Sequence, residues 1–244
     1  MRIIATIEAR MSSSRLPGKP LLKAAGSTML EHLVGRLKAV SSIDGVVLAT
    51  TSNAADDPLA ELAKSIGIGV FRGSEHDVLN RVIGAASSAG AEVVVEITGD
   101  CPIIDPDLVE QTIQMFKAHD VDYVSNCHVR SFPDGMDVQV MLLDTLKRSA
   151  AMTDSALDLE HVTLHIRNNP KLFSRVNLVA PPNLWWPELG LTLDEQSDYE
   201  LISAVIDFFE SKNRMFSCLD AINYLKDNPS LLDLNKDILR KGDS

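Results

Sequence analysis

Short apolar runs alternate with amphipathic segments through the first hundred residues, and this alternation constrains the fold more than any other feature. The apolar runs predict buried strands, and the segments between them carry apolar residues at helical spacing. Strands that are apolar on both faces and separated by helices favour right-handed βαβ crossovers and a parallel sheet covered on both sides. We therefore predict an α/β fold with an open, mostly parallel, doubly wound sheet. The predicted strands are 2–8, 45–51, 68–71 and 92–97, and the predicted helices are 28–40, 56–66 and 76–89.

The pattern is less regular beyond residue 120. Residues 121–125 and 136–140 alternate like half-exposed strands, and Pro133-Asp134-Gly135 between them predicts a turn. We treat residues 1–244 as a single domain, because the chain shows no linker, repeat or low-complexity segment. Further helices are predicted at 142–153, 158–168, 196–212 and 218–227, with a strand at 174–180.

Composition argues against several classes of protein. A net charge of −11 disfavours a surface for nucleic acids or anionic membranes. No apolar run approaches the roughly 20 residues that a membrane-spanning helix needs. The N-terminus lacks the long apolar segment of a secretory signal, so we expect a cytoplasmic protein. The widely spaced Cys101, Cys127 and Cys218 match neither a disulfide framework nor a zinc pattern, which predicts buried free thiols.

Basic residues are concentrated at the start of this acidic chain: residues 1–40 hold seven basic and two acidic side chains. Arg10, Arg15 and Lys19 lie in a loop directly after the first predicted strand, and Pro17-Gly18 predicts a turn that brings Lys19 back toward both arginines. Backbone N–H groups and cations at a strand end are typical of polyphosphate binding, although the Walker A spacing is absent. From the residues alone, a solvated basic loop is an equal alternative.

Two carboxylates follow predicted strands and are candidates for a metal site. Asp100 comes just after the strand 92–97. Magnesium bound with nucleotides uses one or two carboxylates together with phosphate oxygens, which is a natural role for Asp100 at this edge. Asp194 ends the run 191–194, which predicts a strand before a helix, and it is the candidate second ligand. A helix N-cap is the alternative interpretation of Asp194.

Several blocks of sequence together resemble one enzyme family. They are Arg10, Ser14-Arg15-Leu16-Pro17-Gly18-Lys19-Pro20-Leu21, Phe71-Arg72-Gly73-Ser74-Glu75, Gly99-Asp100-Cys101-Pro102, Pro133-Asp134-Gly135-Met136-Asp137-Val138, Glu160-His161-Val162-Thr163 and Leu191-Thr192-Leu193-Asp194. The chain is similar to the cytidylyltransferases that make CMP-activated sialic acids and CMP-Kdo, and it most resembles the branch of SpsF-like spore-coat polysaccharide biosynthesis proteins. It departs from that branch at Leu159, Leu164-His165 and Gln196, where Arg, Pro-Tyr and Pro are usual.

The resemblance implies an enzyme that transfers CMP from CTP to a sugar acid, such as Kdo or a sialic-type nonulosonate, and releases pyrophosphate. It implies a Rossmann-like and GT-A-like nucleotidyltransferase fold, Mg²⁺ as cofactor, and a homodimer formed through an excursion at about 125–187 that also contributes to acceptor binding. By position, Ala9, Arg10, Arg15 and Lys19 would hold the triphosphate, Arg72, Gly73 and Thr98 would lie near base or ribose, and Asp100 and Asp194 would ligate metal. Arg10, Lys19 and Asp100 would be the catalytic residues.

The sequence defines the acceptor site less well. The candidates for contact with an anionic acceptor are Arg130, Gln139, His161, Arg167 and Arg175, each with a solvated or structural role as the alternative. Trp185-Trp186 is expected in the core, with a dimer interface or the sugar pocket as alternatives. Other functions left open are the use of another nucleoside triphosphate, a phosphosugar or phosphonate acceptor, a glycosyltransferase, and a non-catalytic nucleotide-binding module. The glycosyltransferase is disfavoured because Asp100 is not part of an Asp-x-Asp motif.

Overall fold

The computed structural model describes residues 1–212 and 215–238. Its strands are β1 (Ile3–Glu8), β2 (Lys23–Ala24), β3 (Ser27–Thr28), β4 (Gly45–Thr51), β5 (Gly69–Gly73), β6 (Val93–Thr98), β7 (Tyr123–Ser125), β8 (Gln139–Leu142) and β9 (Arg175–Asn177). Its helices are α1 (Met29–Lys38), α2 (Asp57–Ser65), α3 (Val78–Ser88), α4 (Pro106–Ala118), α5 (Leu143–Ala150), α6 (Ala156–Glu160), α7 (Leu164–Asn168), α8 (Gln196–Glu210), α9 (Cys218–Asp227) and α10 (Pro229–Leu232).

A seven-stranded sheet in the order β5-β4-β1-β6-β8-β7-β9 forms the centre of the fold. Its first four strands are parallel, which confirms the predicted parallel sheet. Alternate side chains of β1 enter two cores: Ile3 and Ile7 face one core and Ile4 faces the other. Helices α1, α2, α4, α8 and α9 cover the first core, and α3, α5 and α7 cover the second. Burial on both faces explains why β1 is apolar at nearly every position.

The other half of the sheet mixes strand directions. Strand β8 runs antiparallel to both β6 and β7, and β9 joins β7 in parallel at the edge. The strands predicted at 121–125 and 136–140 correspond to β7 and β8, although β8 begins three residues later than predicted and shares only residues 139–140 with the prediction. The two strands pair around the predicted turn. Strands β8 and β9 lie within the excursion predicted at 125–187, so this segment completes the central sheet. Its role in dimerisation stays a prediction.

The segment 191–194 is not a strand, which corrects the sequence-based prediction. Its neighbourhood pairs only through an isolated bridge between Asp134 and Gly190. Gly135 has a φ of 103°, and a Cβ there would lie 2.5 Å from the backbone of Leu191. The Leu191 N–H donates to the carbonyl of Asp134 at 2.7 Å. The tight turn at Gly135 packs directly on this segment, so a single bridge forms where a ladder was predicted.

The helix predicted at 158–168 is broken into α6 and α7. Val162, between them, has a positive φ of 41°, which is unfavourable for a β-branched residue and interrupts the helix. Backbone strain of this kind is concentrated at functional sites. Here the break follows His161, which lines a cavity at the carboxyl ends of β1 and β6.

The prediction of buried free thiols is confirmed. Cys101, Cys127 and Cys218 are free and buried. Within residues 1–212 and 215–238, no helix combines the length and the apolar character needed to cross a membrane.

Candidate active site

A cavity of about 320 Å³, the main cavity, opens at the carboxyl ends of β1 and β6. In an open α/β sheet this edge is where ligands bind. Seven of the residues that the sequence assigned to nucleotide or metal binding line it together: Ala9, Arg10, Arg15, Lys19, Thr98, Asp100 and Asp194. Residues from three distant parts of the chain thus meet in one place.

The basic loop after β1 is held in place by backbone hydrogen bonds. Gly18 adopts a φ of 74°, and its N–H donates to the carbonyl of Met11 at 3.0 Å, which closes the loop. The Met11 N–H in turn donates to Asp56 Oδ1 at 2.7 Å. Asp56 stands at the N-cap position of α2, but its carboxylate makes no cap hydrogen bond. It anchors the basic loop instead.

The Lys19 ammonium lies between the two carboxylates that the sequence proposed as metal ligands. Lys19 Nζ is 3.0 Å from Asp194 Oδ1 and 3.4 Å from Asp100 Oδ2. Arg15 Nη2 is 2.8 Å from the other oxygen of Asp194. Arg10 is turned away and pairs with Glu75 at 3.2 Å. The sequence predicted that Lys19 turns back toward both arginines. Lys19 and Arg15 do meet at Asp194, whereas Arg10 lies apart with Glu75, and each of the three cations is paired with a carboxylate of the chain.

The charges of this cluster reinforce each other. Burial opposes the charge of Lys19, but Asp100 and Asp194 more than compensate, and the pKa of Lys19 is raised from its ordinary value. Burial also favours the neutral form of Asp100, yet the Lys19 ammonium and a hydrogen bond from Thr98 hold the pKa of Asp100 below its ordinary value. At neutral pH the site therefore holds a charged Lys19 beside an ionised Asp100.

Asp194 reaches this cluster through contacts of its own segment. The Leu193 N–H donates to the Asp100 carbonyl at 2.8 Å, which places residue 194 beside residue 100. Helix α8 begins with Glu195 as its N-cap, and Asp198 accepts hydrogen bonds from the N–H groups of Asp194 and Glu195. The alternative that Asp194 caps this helix is therefore wrong, and its carboxylate is available to the cavity.

The same two carboxylates suit a magnesium ion that arrives with a nucleotide. Among the residues that the structure describes, no group of three or more His, Cys, Asp or Glu is arranged to hold a metal. Magnesium in nucleotide sites needs only one or two carboxylates, because phosphate oxygens and water complete its shell. Asp100 and Asp194 already share one positive charge, that of Lys19, so their placement fits a divalent cation.

Two predicted nucleotide-binding residues are not part of this cavity. Arg72, on β5, donates to the carbonyls of Thr51 and Asn53 at 2.8 and 2.7 Å and pairs with Asp57 at 2.6 Å. It ties the end of β5 to the start of α2. Gly73 follows it on the same strand, and neither residue lines the main cavity.

Sequence reasoning assigned no role to Glu8, the last residue of β1, which also lines the main cavity. Burial, followed by the nearby charge of Glu96, raises the pKa of Glu8 well above its ordinary value. A carboxylate that ends an otherwise apolar strand, immediately before a basic loop, is the signal that identifies it. His161 lines this cavity as well, although the sequence placed it only among the acceptor candidates.

A second cavity, of about 110 Å³, adjoins the main one. The two cavities share Glu8, Thr98 and His161 in their walls. Four of the five acceptor candidates line the second cavity: Arg130, Gln139, His161 and Arg167. Arg175 does not line it, and its guanidinium donates to the carbonyl of Arg167. The acceptor candidates thus gather beside the predicted nucleotide site.

The tandem tryptophans lie elsewhere. Trp185 is 53% exposed, which contradicts the expected burial in the core, and Trp186 is partly buried against the first core. Lys226 lies over the Trp186 ring at 5.7 Å. Neither tryptophan lines either cavity.

Comparison with known proteins gives consistent matches along the chain. The family model described as cytidylyltransferase matches residues 4–236. The chain is 36% identical over 210 residues to the spore coat polysaccharide biosynthesis protein SpsF of Bacillus subtilis, covering 83% of this chain and 85% of that protein. It is 36% identical over 115 residues to 3-deoxy-manno-octulosonate cytidylyltransferase of Geobacter sulfurreducens, covering 46% and 44% of the two chains. A solved cytidylyltransferase from Leptospira borgpetersenii has a TM-score of 0.90 at 31% identity and covers 99% of this chain and 100% of its own.

Proposed function

The chain belongs to the cytidylyltransferase family of CTP-dependent nucleotidyltransferases, and from this premise we propose that it transfers CMP from CTP to a sugar acid for surface polysaccharide biosynthesis. The proposed acceptor is a 2-keto-3-deoxy sugar acid, such as Kdo or a sialic-type nonulosonate, and pyrophosphate is released. Relatives named for spore coat polysaccharide and for 3-deoxy-manno-octulosonate support this choice of acceptor class.

One observation carries the proposal: a cavity lined by cations and a carboxylate pair adjoins a second cavity lined by arginines. The first suits a triphosphate and its divalent cation. The second offers the guanidinium groups of Arg130 and Arg167 to the carboxylate of an acceptor, beside the carboxyl groups of Glu8, Glu96 and Asp137. Glu8, Thr98 and His161, which line both cavities, mark where the two substrates would meet.

When CTP binds, phosphate oxygens replace carboxylates as the partners of the basic side chains in the loop after β1. Triphosphate oxygens replace Asp100 and Asp194 as the partners of Lys19, and Arg15 turns from Asp194 to the same phosphates. The two carboxylates would then hold Mg²⁺, which supplies positive charge to the phosphate and the attacking oxygen when bound. Lys19 therefore holds the place of a cation between these carboxylates until the nucleotide arrives.

The chemistry that remains for the chain is positioning and charge stabilisation. The hydroxyl of the acceptor attacks the α-phosphorus in line. A new oxygen–phosphorus bond forms, the bond from the α-phosphorus to the bridging oxygen breaks, and the proton of the attacking hydroxyl leaves to solvent. Negative charge accumulates on the departing pyrophosphate, where Arg10, Arg15 and Lys19 stabilise it.

Arg130 is an exposed member of the group of acceptor candidates, and its substitution tests acceptor binding separately from CTP binding. Its guanidinium lies 3.1 Å from Asp134 and 3.3 Å from Asp137 at the wall of the second cavity. Since a hydrogen bond to a charged group contributes about 1.5–3 kcal/mol, we expect Arg130→Ala to raise the KM for the acceptor about 10- to 100-fold. Steady-state kinetics should show an unchanged KM for CTP. Arg148→Ala, a surface arginine paired with Asp122, is the control. An equal rise in both KM values would contradict the assignment.

A pyrophosphate-release assay tests the proposed function. The protein is incubated with CTP and Mg²⁺ and with Kdo, sialic, pseudaminic or legionaminic acid, and new CMP adducts are identified by mass spectrometry. We expect release with at least one acid, with CTP preferred over UTP and GTP. Release with phosphosugars or phosphonates alone would overturn the acceptor class. Binding of CTP without release across the panel would overturn the proposed reaction.

The proposal includes a homodimer, and the edge of the sheet supports it. Strand β9 ends the sheet, and an open edge strand is a site for pairing with another chain. Apolar side chains next to β9 in the chain are exposed, namely Leu172 and Val179. Light scattering coupled to size exclusion should give twice the chain mass of 26.6 kDa. A mass equal to the single chain at micromolar concentration would contradict this prediction.

A further inference from the structure

Glu8 has an unexplained feature at the boundary between the two cavities. Within the described residues, its buried Oε2 atom has no hydrogen-bond partner. A buried carboxylate oxygen without a donor is costly, so most such groups in folded proteins are satisfied. Thr98, which shares the boundary, is engaged with the thiol of Cys101. Glu8 is therefore the boundary residue in need of a donor.

The triphosphate is unsuited to supply that donor. Phosphate oxygens accept hydrogen bonds and offer none, and Glu8 lies near the carboxyl groups of Glu96 and Asp100 as well as near the guanidinium groups of Arg81 and Arg10. The nearby Arg81 directs its guanidinium to the carbonyls of Ala49, Ser74 and Glu75. The missing donor must come from a neutral or positive group that enters between the two cavities.

We propose that Glu8 binds the acceptor: its Oε2 accepts a hydrogen bond from the hydroxyl that attacks the α-phosphorus. This inference rests on the proposed function and deepens it, because it names the residue that selects a hydroxyl-bearing acceptor at the point of reaction. The attacking hydroxyl has to pass between the cavities, where Glu8, Thr98 and His161 lie. A hydroxyl is a donor that this position can accommodate without repulsion.

A role of Glu8 in acceptor binding and a structural role of Glu8 predict opposite changes in thermal stability. If Glu8 serves the acceptor, its unpaired oxygen destabilises the protein until the acceptor binds. Removing it should then keep or raise thermal stability while lowering activity, as at other sites where function opposes stability. A structural Glu8 would show the reverse, a loss of stability on substitution.

The experiment compares Glu8→Leu and Glu8→Gln with the wild type, using the sugar acid that gives turnover in the pyrophosphate-release assay. Because a buried hydrogen bond between Glu8 and the acceptor is lost, we expect Glu8→Leu to lower kcat/KM for the acceptor about 10-fold. Glu8→Gln keeps a carbonyl oxygen and should recover part of this loss. The Kd of CTP should stay within about twofold, and the Tm should be equal to or above that of the wild type. Glu61→Leu, at an exposed position of α2, is the control.

The remaining outcomes each count against the inference. A weaker Kd for CTP would show that Glu8 contacts the nucleotide. A lowered Tm with proportionate loss of all activities would show a structural role. Unchanged kcat/KM in Glu8→Leu would overturn the inference and leave the proposed function intact. A wild-type protein that converts none of the acids would overturn both.

Discussion

Replacing Lys19 by alanine should lower kcat for CMP transfer about 10²- to 10³-fold, the usual cost of removing one donor that stabilises transition-state charge. Lys19 contacts both Asp100 and Asp194, and the proposed function places the departing pyrophosphate beside its ammonium group. The expected loss falls mainly on kcat, because this interaction strengthens as charge moves onto the leaving group. The measurement is pyrophosphate release under saturating CTP and acceptor.

The fold should survive this change. Arg15 continues to pair with Asp194 at 2.8 Å, so one carboxylate keeps a partner. Lys23→Ala, four residues away and exposed, is the matched control and should keep wild-type turnover. If Lys19→Ala retained wild-type kcat, or if Lys23→Ala lost as much activity, the role of Lys19 would be refuted.

Replacing Asp100 by asparagine should have an effect at least as large. The change preserves shape but removes one of the two charges that would hold the divalent cation. Loss of metal-based charge stabilisation is worth several kcal/mol, which corresponds to about 10³-fold or more in kcat. The activity lost in Asp100→Asn should not be recovered by raising CTP, because the defect lies in the chemical step.

The substitution Asp100→Asn should also change the pKa of Lys19. Ionised Asp100 raises the pKa of Lys19, so the asparagine variant should bring that pKa back toward its ordinary value. Asp120→Asn, an exposed aspartate, is the control and should behave as wild type. Full turnover by Asp100→Asn in Mg²⁺ would remove Asp100 from the metal site.

Local sequence patterns predicted the parallel half of the sheet and the place of the site. Strand β1 and the basic loop are adjacent in sequence, and Asp100 directly follows β6. Because the carboxyl ends of neighbouring parallel strands share one edge, their convergence could be inferred without coordinates. Arg130, Gln139 and Arg167 were named as acceptor candidates without a position in space, and the structure brings them together at the second cavity.

Long-range pairing explains what the sequence could not predict. The contact between Lys19 and Asp194 spans 175 residues, and no local pattern reports it. The pairing of Arg10 with Glu75 likewise depends on how the loop after β5 folds back. The strand predicted at 191–194 failed because Gly135 packs against its backbone, which is a tertiary constraint. Arg72 and Gly73 were assigned by resemblance, and the structure places them outside the main cavity.

The central claim is that Lys19 and a divalent cation use the same two carboxylates, and the most direct test is Mn²⁺ binding followed by electron paramagnetic resonance. Without nucleotide, the wild type should bind Mn²⁺ weakly, since Lys19 lies between Asp100 and Asp194. Adding CTP should tighten binding, and Lys19→Ala should bind Mn²⁺ more tightly than wild type in the absence of CTP. Equal Mn²⁺ affinities in the wild type and Lys19→Ala, with no response to CTP, would contradict the account.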